Sequence, residues 1–423
     1  MKLNFRFNEF SAHVATLVSG SVVAQIIGLL MSFVLARIYS PADFGTLEQY
    51  AMVLAILGVI TTGKFEFAIL LPKEDDKANA LRNLAIRICL VVSLIAGSLF
   101  FLTSNAWAEF YSNPELSYVF LLVGLGLFCF GLTNTLTYAL NRRKDYKSIT
   151  VSKILFMAVS EPMKLILSFV SVSGVSLVIA AVCGHLMTST FLSTKVKWIG
   201  KLRENKKMQT WVAKEYKEYP QYNLPGSLLN RAAQWAHIAL FSAFFGLGAI
   251  GLLALCRRIA MMPLSIIGTS FAQVYYKRLT EIKDPKQLKK SYWSNLKYLL
   301  FICAGMIGVV WVLPQNTMAF LFGEEWSEAI NYLRVLIFWF ALNFAVSSLS
   351  FVNHRIREQK NLFFLDLFHF LIVILGIVFA WFSKMDEFQS MTVLVICKVI
   401  YYLTHIMVTG RLLNKYILSA SND

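Results

Sequence analysis

Apolar positions along this chain fall in runs of roughly 20 residues, the length an α-helix needs to cross about 30 Å of hydrocarbon. Short polar stretches separate them, and the pattern predicts an all-α polytopic membrane protein of about twelve transmembrane helices. Six spans are predicted at Ala12–Ile38, Phe44–Leu71, Leu84–Ser104, Leu116–Leu140, Ile149–Val170 and Val175–Thr194. Six more follow at Gly226–Phe245, Gly251–Tyr275, Tyr298–Leu313, Ile330–Val352, Leu362–Phe382 and Phe388–Leu412. The ninth is the shortest, and Tyr292 to Lys297 could extend its start.

Between the two sets lies Lys195 to Pro225, the longest run without a membrane-length apolar segment. It carries Lys195, Lys197, Lys201, Arg203, Lys206, Lys207, Lys214 and Lys217 against Glu204, Glu215 and Glu218. Polybasic loops stay on the cytoplasmic side of a membrane, so this stretch fixes the orientation of its neighbours. Alternate loops elsewhere are also basic, as at Arg142, Arg143, Lys144 and Lys147, whereas the opposite loops contribute only Lys384. The alternation predicts both termini on the cytoplasmic side. It also predicts a six-helix lobe over 1–194, a basic linker over 195–225 and a second six-helix lobe over 226–423.

Composition agrees with a membrane. The 423 residues are 57% apolar and 15% charged, where a soluble protein is roughly a quarter charged. The net charge of +16 is placed in short loops, as topology determinants beside an anionic leaflet, and does not call for nucleic acid. All six cysteines lie within apolar spans, with no metal or CxxC spacing, and read as buried thiols. The first 20 residues lack the short apolar core and small-residue site of a cleavable signal, so the first span is expected to be retained. No soluble enzyme or cofactor-binding domain is predicted. No catalytic residue, metal ligand set or cofactor is predicted either, because His13, His185, His354, His369 and His405 lack ligand spacing and no Ser or Cys has a catalytic setting.

The two halves share a faint repeat. A shift of 206 residues carries Gly20-Ser21 onto Gly226-Ser227, and Gly45 and Leu47 onto Gly251 and Leu253. Even-numbered halves in one orientation are what a parallel repeat requires, and transporters are often built so.

Some charges do not belong in lipid. One at the centre of a membrane helix costs on the order of 2.5–3.5 kcal/mol, so such residues tend to face a polar cavity or a partner. They are Lys64 and Glu66 in span 2, Glu161 and Lys164 in span 5, Arg231 and His237 in span 7, and Arg257 and Arg258 in span 8. Lys398 in span 12 is as deep, without a motif around it. Lys64, Arg231, Arg257 and Arg258 form a predicted ladder of cations suited to a large anion, the arginine fork favouring phosphate. Asn230, Gln234 and His237 share one face of span 7, with Arg231 at its edge. Arg258, Met262, Ser265 and Thr269 share a face of span 8. Blander readings stand beside these. Lys64 can snorkel to the surface, Glu161 and Lys164 can pair structurally beside Pro162, His237 can be a hydrogen-bonded interior residue, and Arg37 reads as an interfacial anchor.

The run LVSGSVVAQIIGLLMSFVLARIYSPADFGTLEQY, followed by GVITTGKFEFAILLPKEDDKA, resembles the amino-terminal region of bacterial polysaccharide exporters. These are the Wzx-type O-antigen flippases of the multidrug/oligosaccharidyl-lipid/polysaccharide superfamily. The stretch from Tyr219 to Glu281 resembles the family's seventh and eighth helices. The resemblance implies two six-helix lobes around a central cavity lined chiefly by helices 1, 2, 7 and 8. It maps cavity positions to Gln25, Lys64, Glu66, Asn230, Arg231, Gln234, His237, Arg257 and Arg258. Where relatives carry Thr-Gly-Arg-Tyr-Glu, this chain has Lys64 and Phe65, which keeps the charge and loses the bidentate fork.

By that resemblance the expected activity is flipping of undecaprenyl-diphosphate-linked oligosaccharide between leaflets of the inner membrane by alternating access, for O-antigen, capsule or exopolysaccharide assembly. A polysaccharide polymerase and a chain-length regulator are the expected partners. Glu66, Glu161 or His237 could carry protons, and proton, sodium and no coupling all stay open. A drug or metabolite exporter of the same fold is the alternative, disfavoured by the basic balance of the buried charges. A membrane glycan polymerase or ligase fits less well, since the longest outer loop, Pro314 to Trp326, is short.

Overall fold

The computed structural model describes residues 3–196, 206–282, 284–356 and 359–420, and every regular element among them is helical. By contact the chain divides into two compact units, Met1–Gly248 and Ala249–Asp423.

Unit 1 begins with α1 (Leu3–Leu35), α2 (Pro41–Leu57), the single turn α3 (Phe65–Ala68) and α4 (Asp75–Phe110). It continues through α5 (Glu115–Leu121), α6 (Val123–Arg142), α7 (Tyr146–Ser168), α8 (Gly174–Val196), α9 (Lys206–Glu215) and α10 (Leu224–Phe245). The start of α2 is written in its sequence. Ser40 accepts from the Asp43 amide, the Asp43 carboxylate accepts from the Ser40 amide, and Pro41 occupies the first turn, where no amide is needed. Helix α7 packs on α1 and α8, and α6 on α4 and α8. Ile86, Leu132, Leu136, Ile149 and Leu192 bury one another at the meeting of α4, α6, α7 and α8. Small residues let α4 and α6 approach: a Cβ on Gly97 would lie 2.9 Å from the Gly124 Cα. In lipid such contacts gain close packing rather than escape from water.

Unit 2 holds α11 (Leu247–Glu281, which starts at the division), α12 (Pro285–Val312), α13 (Thr317–Phe322), α14 (Ala329–Leu349), α15 (Phe351–Arg355), α16 (Gln359–Phe382) and α17 (Glu387–Ala420). Helix α17 packs on α14 and α16, and α12 on α14 and α17. The Cys303 thiol reaches the Ala341 carbonyl at 3.1 Å, and Trp326 is fully buried.

Large apolar side chains point outward in both units, among them Leu102 at 79% and Phe301 at 78% exposure. A surface of that kind needs lipid against it. Seven helices among the described residues are long and apolar enough to cross a membrane by length and composition, short of the twelve predicted. Expected spans outside that set carry breaks or charges. Helix α2 stops at Leu57, α7 holds Lys153, Glu161 and Lys164, and α10 holds Arg231. Cys89, Cys129, Cys256, Cys303 and Cys397 are buried free thiols, and Cys183 is a half-buried one.

Several elements depart from the hydrophobic pattern. The second span, expected to be continuous over Phe44–Leu71, is interrupted between Leu57 and Phe65. The fourth is divided at Leu122 into α5 and α6. Tyr292 to Lys297 do belong to the ninth helix, which starts at Pro285. The basic linker is partly helical. Residues 197–205 lie outside the described part, but α9 and a π-helical turn at Tyr219–Asn223 run directly into α10. Met208, Val212, Tyr216 and Tyr219 recur at helical spacing and pack with Phe65, Ile69 and Leu81, while Lys206, Lys207, Lys214 and Lys217 face out. High charge density masked that apolar stripe. Helix α10, placed by the hydrophobic pattern in the second lobe, packs against α2 within unit 1.

Candidate functional site

The break after α2 is built from small and hydroxylated residues. From Val59 onward the backbone turns by hydrogen bonds to the third preceding carbonyl, as in Val59 to Ile56 and Gly63 to Ile60. Thr61 returns its hydroxyl to the Gly58 carbonyl at 2.8 Å. Gly63 (φ 59°) and Lys64 (φ 64°, ψ 10°) are then both left-handed, which ends any right-handed helix. For a lysine that conformation costs about 1–2 kcal/mol, so the surroundings must hold it. Irregular backbone at membrane depth is tolerated where it is buried in protein or lines a polar cavity. Glu66, in the next turn, is buried and accepts a hydrogen bond from the Thr62 hydroxyl.

Lys64 is half-buried, its ammonium 5.0 Å from the Phe67 ring centroid, and Phe67 in turn meets Tyr138 edge-on at 5.0 Å. Its electrostatic neighbours are Glu66 and Arg231, the latter from α10. Arg231 is exposed and donates to Gln234 at 3.4 Å, and Gln234 donates to Asn230 at 2.7 Å. Two cations from different helices therefore lie within electrostatic reach of each other beside the break, with an amide relay behind one of them. Neither Lys64 nor Arg231 takes part in the ion pairs Lys77–Glu74, Arg142–Asp75 and Lys164–Glu161.

The other predicted residues are distributed elsewhere. His237 lies one turn beyond Gln234 on α10 but is buried, whereas Arg231 and Gln234 are exposed. Glu161 and Lys164 form a closed pair at 2.8 Å inside α7, both buried. Gln25 is half-buried on α1, one turn beyond Ser21, whose hydroxyl accepts from the Lys153 ammonium at 2.9 Å. That contact brings Lys153 of α7 among the polar residues of α1. Arg257 and Arg258 lie half-buried on α11 in unit 2, and Ser265 shares that helix, while the side chains of Met262 and Thr269 lie outside the described residues. No group of three or more His, Cys, Asp or Glu among the described residues could hold a metal ion.

One functional-looking element left no signal in the sequence. The Arg142 guanidinium, at the end of α6, donates to the carbonyls of Ile69, Pro72 and Lys73 and to Asp75 at 3.0 Å. It closes the loop that follows the break. Beside it lies a cleft of about 710 Å³ whose lining includes Lys73, Arg82, Arg142, Arg143 and Lys144.

With this geometry in hand, likeness to known proteins is informative. The chain matches the solved lipid II flippase MurJ, in its inward closed conformation, with a TM-score of 0.73 at 14% identity over 95% of this chain and 90% of that one. It matches an inward-facing multidrug resistance MATE family transporter of the MOP superfamily with a TM-score of 0.69 at 12% identity over 95% of both chains. The protein is thus a helical multi-pass membrane protein with the exporter fold of that superfamily. Residues 34–331 match the family described as polysaccharide biosynthesis protein, and the chain belongs to that family. It is also 21% identical over 318 residues to the succinoglycan biosynthesis transport protein ExoT of Rhizobium meliloti (strain 1021). That alignment takes in 72% of this chain and only 60% of the relative's length.

Proposed function

We propose that this protein flips undecaprenyl-diphosphate-linked oligosaccharide repeat units from the cytoplasmic to the outer leaflet of the bacterial inner membrane. The observation that carries the reading is that Lys64, at an unwound stretch of an apolar segment, feels the charge of Arg231 from α10, the helix packed on α2. Cations held at such cost in lipid suit an anion carried on a lipid, and a diphosphate supplies one. Family membership and the likeness to a lipid II flippase support the same substrate class. On this reading Lys64 and Arg231 hold the diphosphate, while Asn230, Gln234 and Gln25 offer polar contacts to phosphate or sugar. Arg257 and Arg258 of unit 2 are assigned phosphate contacts as a separate proposal, resting on their position in an apolar helix.

Transport proceeds by alternating access, with both termini cytoplasmic, and delivers repeat units to a polymerase and chain-length regulator for O-antigen, capsule or exopolysaccharide assembly. The chain performs no covalent chemistry and takes no cofactor. Glu66 and His237 are available to couple export to a proton or sodium gradient; Glu161 is the poorer choice because Lys164 already holds it. The test is complementation of a strain lacking its own flippase. Lys64→Met with Arg231→Ala is expected to abolish surface glycan and leave lipid-linked repeat units accumulating inside, with the protein folded and in the membrane. Normal surface glycan from that variant would overturn the assignment.

A further inference from the structure

We propose that Lys398 of α17 and His369 of α16 form a one-proton binding site inside unit 2, through which export is coupled to the proton gradient. The Lys398 side chain is 1% exposed. Its ammonium nitrogen lies 2.9 Å from His369 Nε2 and 4.8 Å from the Trp339 ring centroid on α14. His369 is itself buried and stacks on Tyr401, with ring centroids 4.1 Å apart and planes 14° from parallel. No carboxylate forms an ion pair with Lys398 among the described residues.

Every packed element contributes to the surroundings. Helix α17 itself brings Cys397, Tyr401, Tyr402 and His405. Helix α16 brings His369 and Asp366, whose charge is felt by Tyr401 and Tyr402. Helix α14 brings Trp339 and Asn343, the latter accepting from the Tyr402 hydroxyl at 2.9 Å. Helix α12 brings Tyr292 to Thr409, three turns away.

Proton bookkeeping follows from the contact. With one proton, either the ammonium donates to a neutral imidazole or the imidazolium donates to a neutral amine. Two protons would set like charges 2.9 Å apart in an apolar interior, which the low local dielectric forbids. With none, two neutral groups remain, well suited to an oily setting. The pair therefore cycles between one proton and none, and its charge changes by one with no carboxylate ion-paired to Lys398 among the described residues. A leucine or methionine would fill the space without the cost of an uncompensated buried cation, so the cation is retained for what its charge does. A buried polar stripe runs along α17 from the pair, through Tyr401 and His405 to Thr409, which bonds Asn353 at 3.3 Å. It offers protons a path along the helix rather than across lipid.

Proton binding is tested on the full-length protein in lipid nanodiscs, with ¹⁵N-histidine NMR and the proton itself as the probe. The resonance that disappears in His369→Asn is expected to move with pH over roughly pH 5 to 10, and Lys398→Met is expected to shift that titration. A resonance that stays fixed over this range overturns the site. Coupling rests on the flippase reading and is measured by surface glycan in cells treated with a protonophore. Wild-type export is expected to be lost with the gradient. Export in Lys398→Met is expected to be lost or to stop responding, with His369→Asn giving the same result should Lys398→Met fail to fold. Variants that export normally and respond normally to the protonophore overturn the coupling. If the wild type itself restores no glycan, the flippase reading fails while the histidine titration still decides the proton site.

Discussion

The Tyr39 hydroxyl donates a 2.7 Å hydrogen bond to the main-chain carbonyl of Lys164. It fastens the turn after α1 to α7 just past Pro162, next to the buried Glu161–Lys164 pair. A charge left alone there has no water to turn to. Glu161→Gln and Lys164→Met are each expected to lower stability by about 3–5 kcal/mol, and Glu161→Leu with Lys164→Met to cost far less than their sum. Thermal unfolding in detergent reads the difference. Additive losses would mean that the two side chains act separately.

Gly45 approaches the chain just past α10 so closely that a Cβ there would lie 2.2 Å from the carbonyl oxygen of Leu247, the first residue of α11. Because the obstacle is backbone, no rotamer change relieves it. Gly45→Ala is expected to destabilise unit 1 by about 1–3 kcal/mol. The neighbouring Thr46→Ser keeps the hydroxyl and deletes one buried methyl, so it should cost about 1 kcal/mol, measured alongside by unfolding temperature.

At Lys64, backbone and charge can be separated. Lys64→Gly relieves the left-handed conformation, so it is expected to raise stability by up to about 1 kcal/mol while removing the cation. Lys64→Val adds a β-branched side chain and should lose both stability and export. A stabilised Lys64→Gly protein that still exports glycan would show that the ammonium is dispensable.

Glu115, at the start of α5, accepts from the Gly174 amide at 3.1 Å and so caps α8. Burial, then repulsion from Asp43, push its carboxyl above the ordinary carboxylate range. A raised acid costs stability as pH climbs through that range, because the unfolded chain ionises first. Glu115→Gln keeps an acceptor and removes the charge. It is expected to be more stable than wild type at neutral pH, the advantage fading as pH falls below about 4. A gain that persists in acid would place its origin elsewhere.

How much of this was legible in the sequence depends on the element. Ser40, Pro41 and Asp43 announce the start of α2, and Asn230, Arg231 and Gln234 announce a polar face by spacing alone. The interruption at Gly63 and Lys64 was hidden. Thr61, Thr62 and Phe65 are acceptable in a membrane helix, and isolated glycines such as Gly58 and Gly63 do not by themselves end one. That Lys64 feels the charge of Arg231 depends on α10 packing against α2, a long-range contact that no local pattern encodes. The Lys398–His369 contact was unreadable for the same reason: its partners stand 29 positions apart on separate helices. Arg142 was counted only as a topology charge, since nothing in its own neighbourhood names the carbonyls it holds.

A segment whose hydrogen-bond ladder stops at Leu57 and resumes at Phe65 is an elbow rather than a rod. Its upper arm packs on α8 and α10 while its forearm is docked on α4 and α9, so no helix would have to melt for the angle to change. Movement at this joint would swing the ammonium at its apex through an arc.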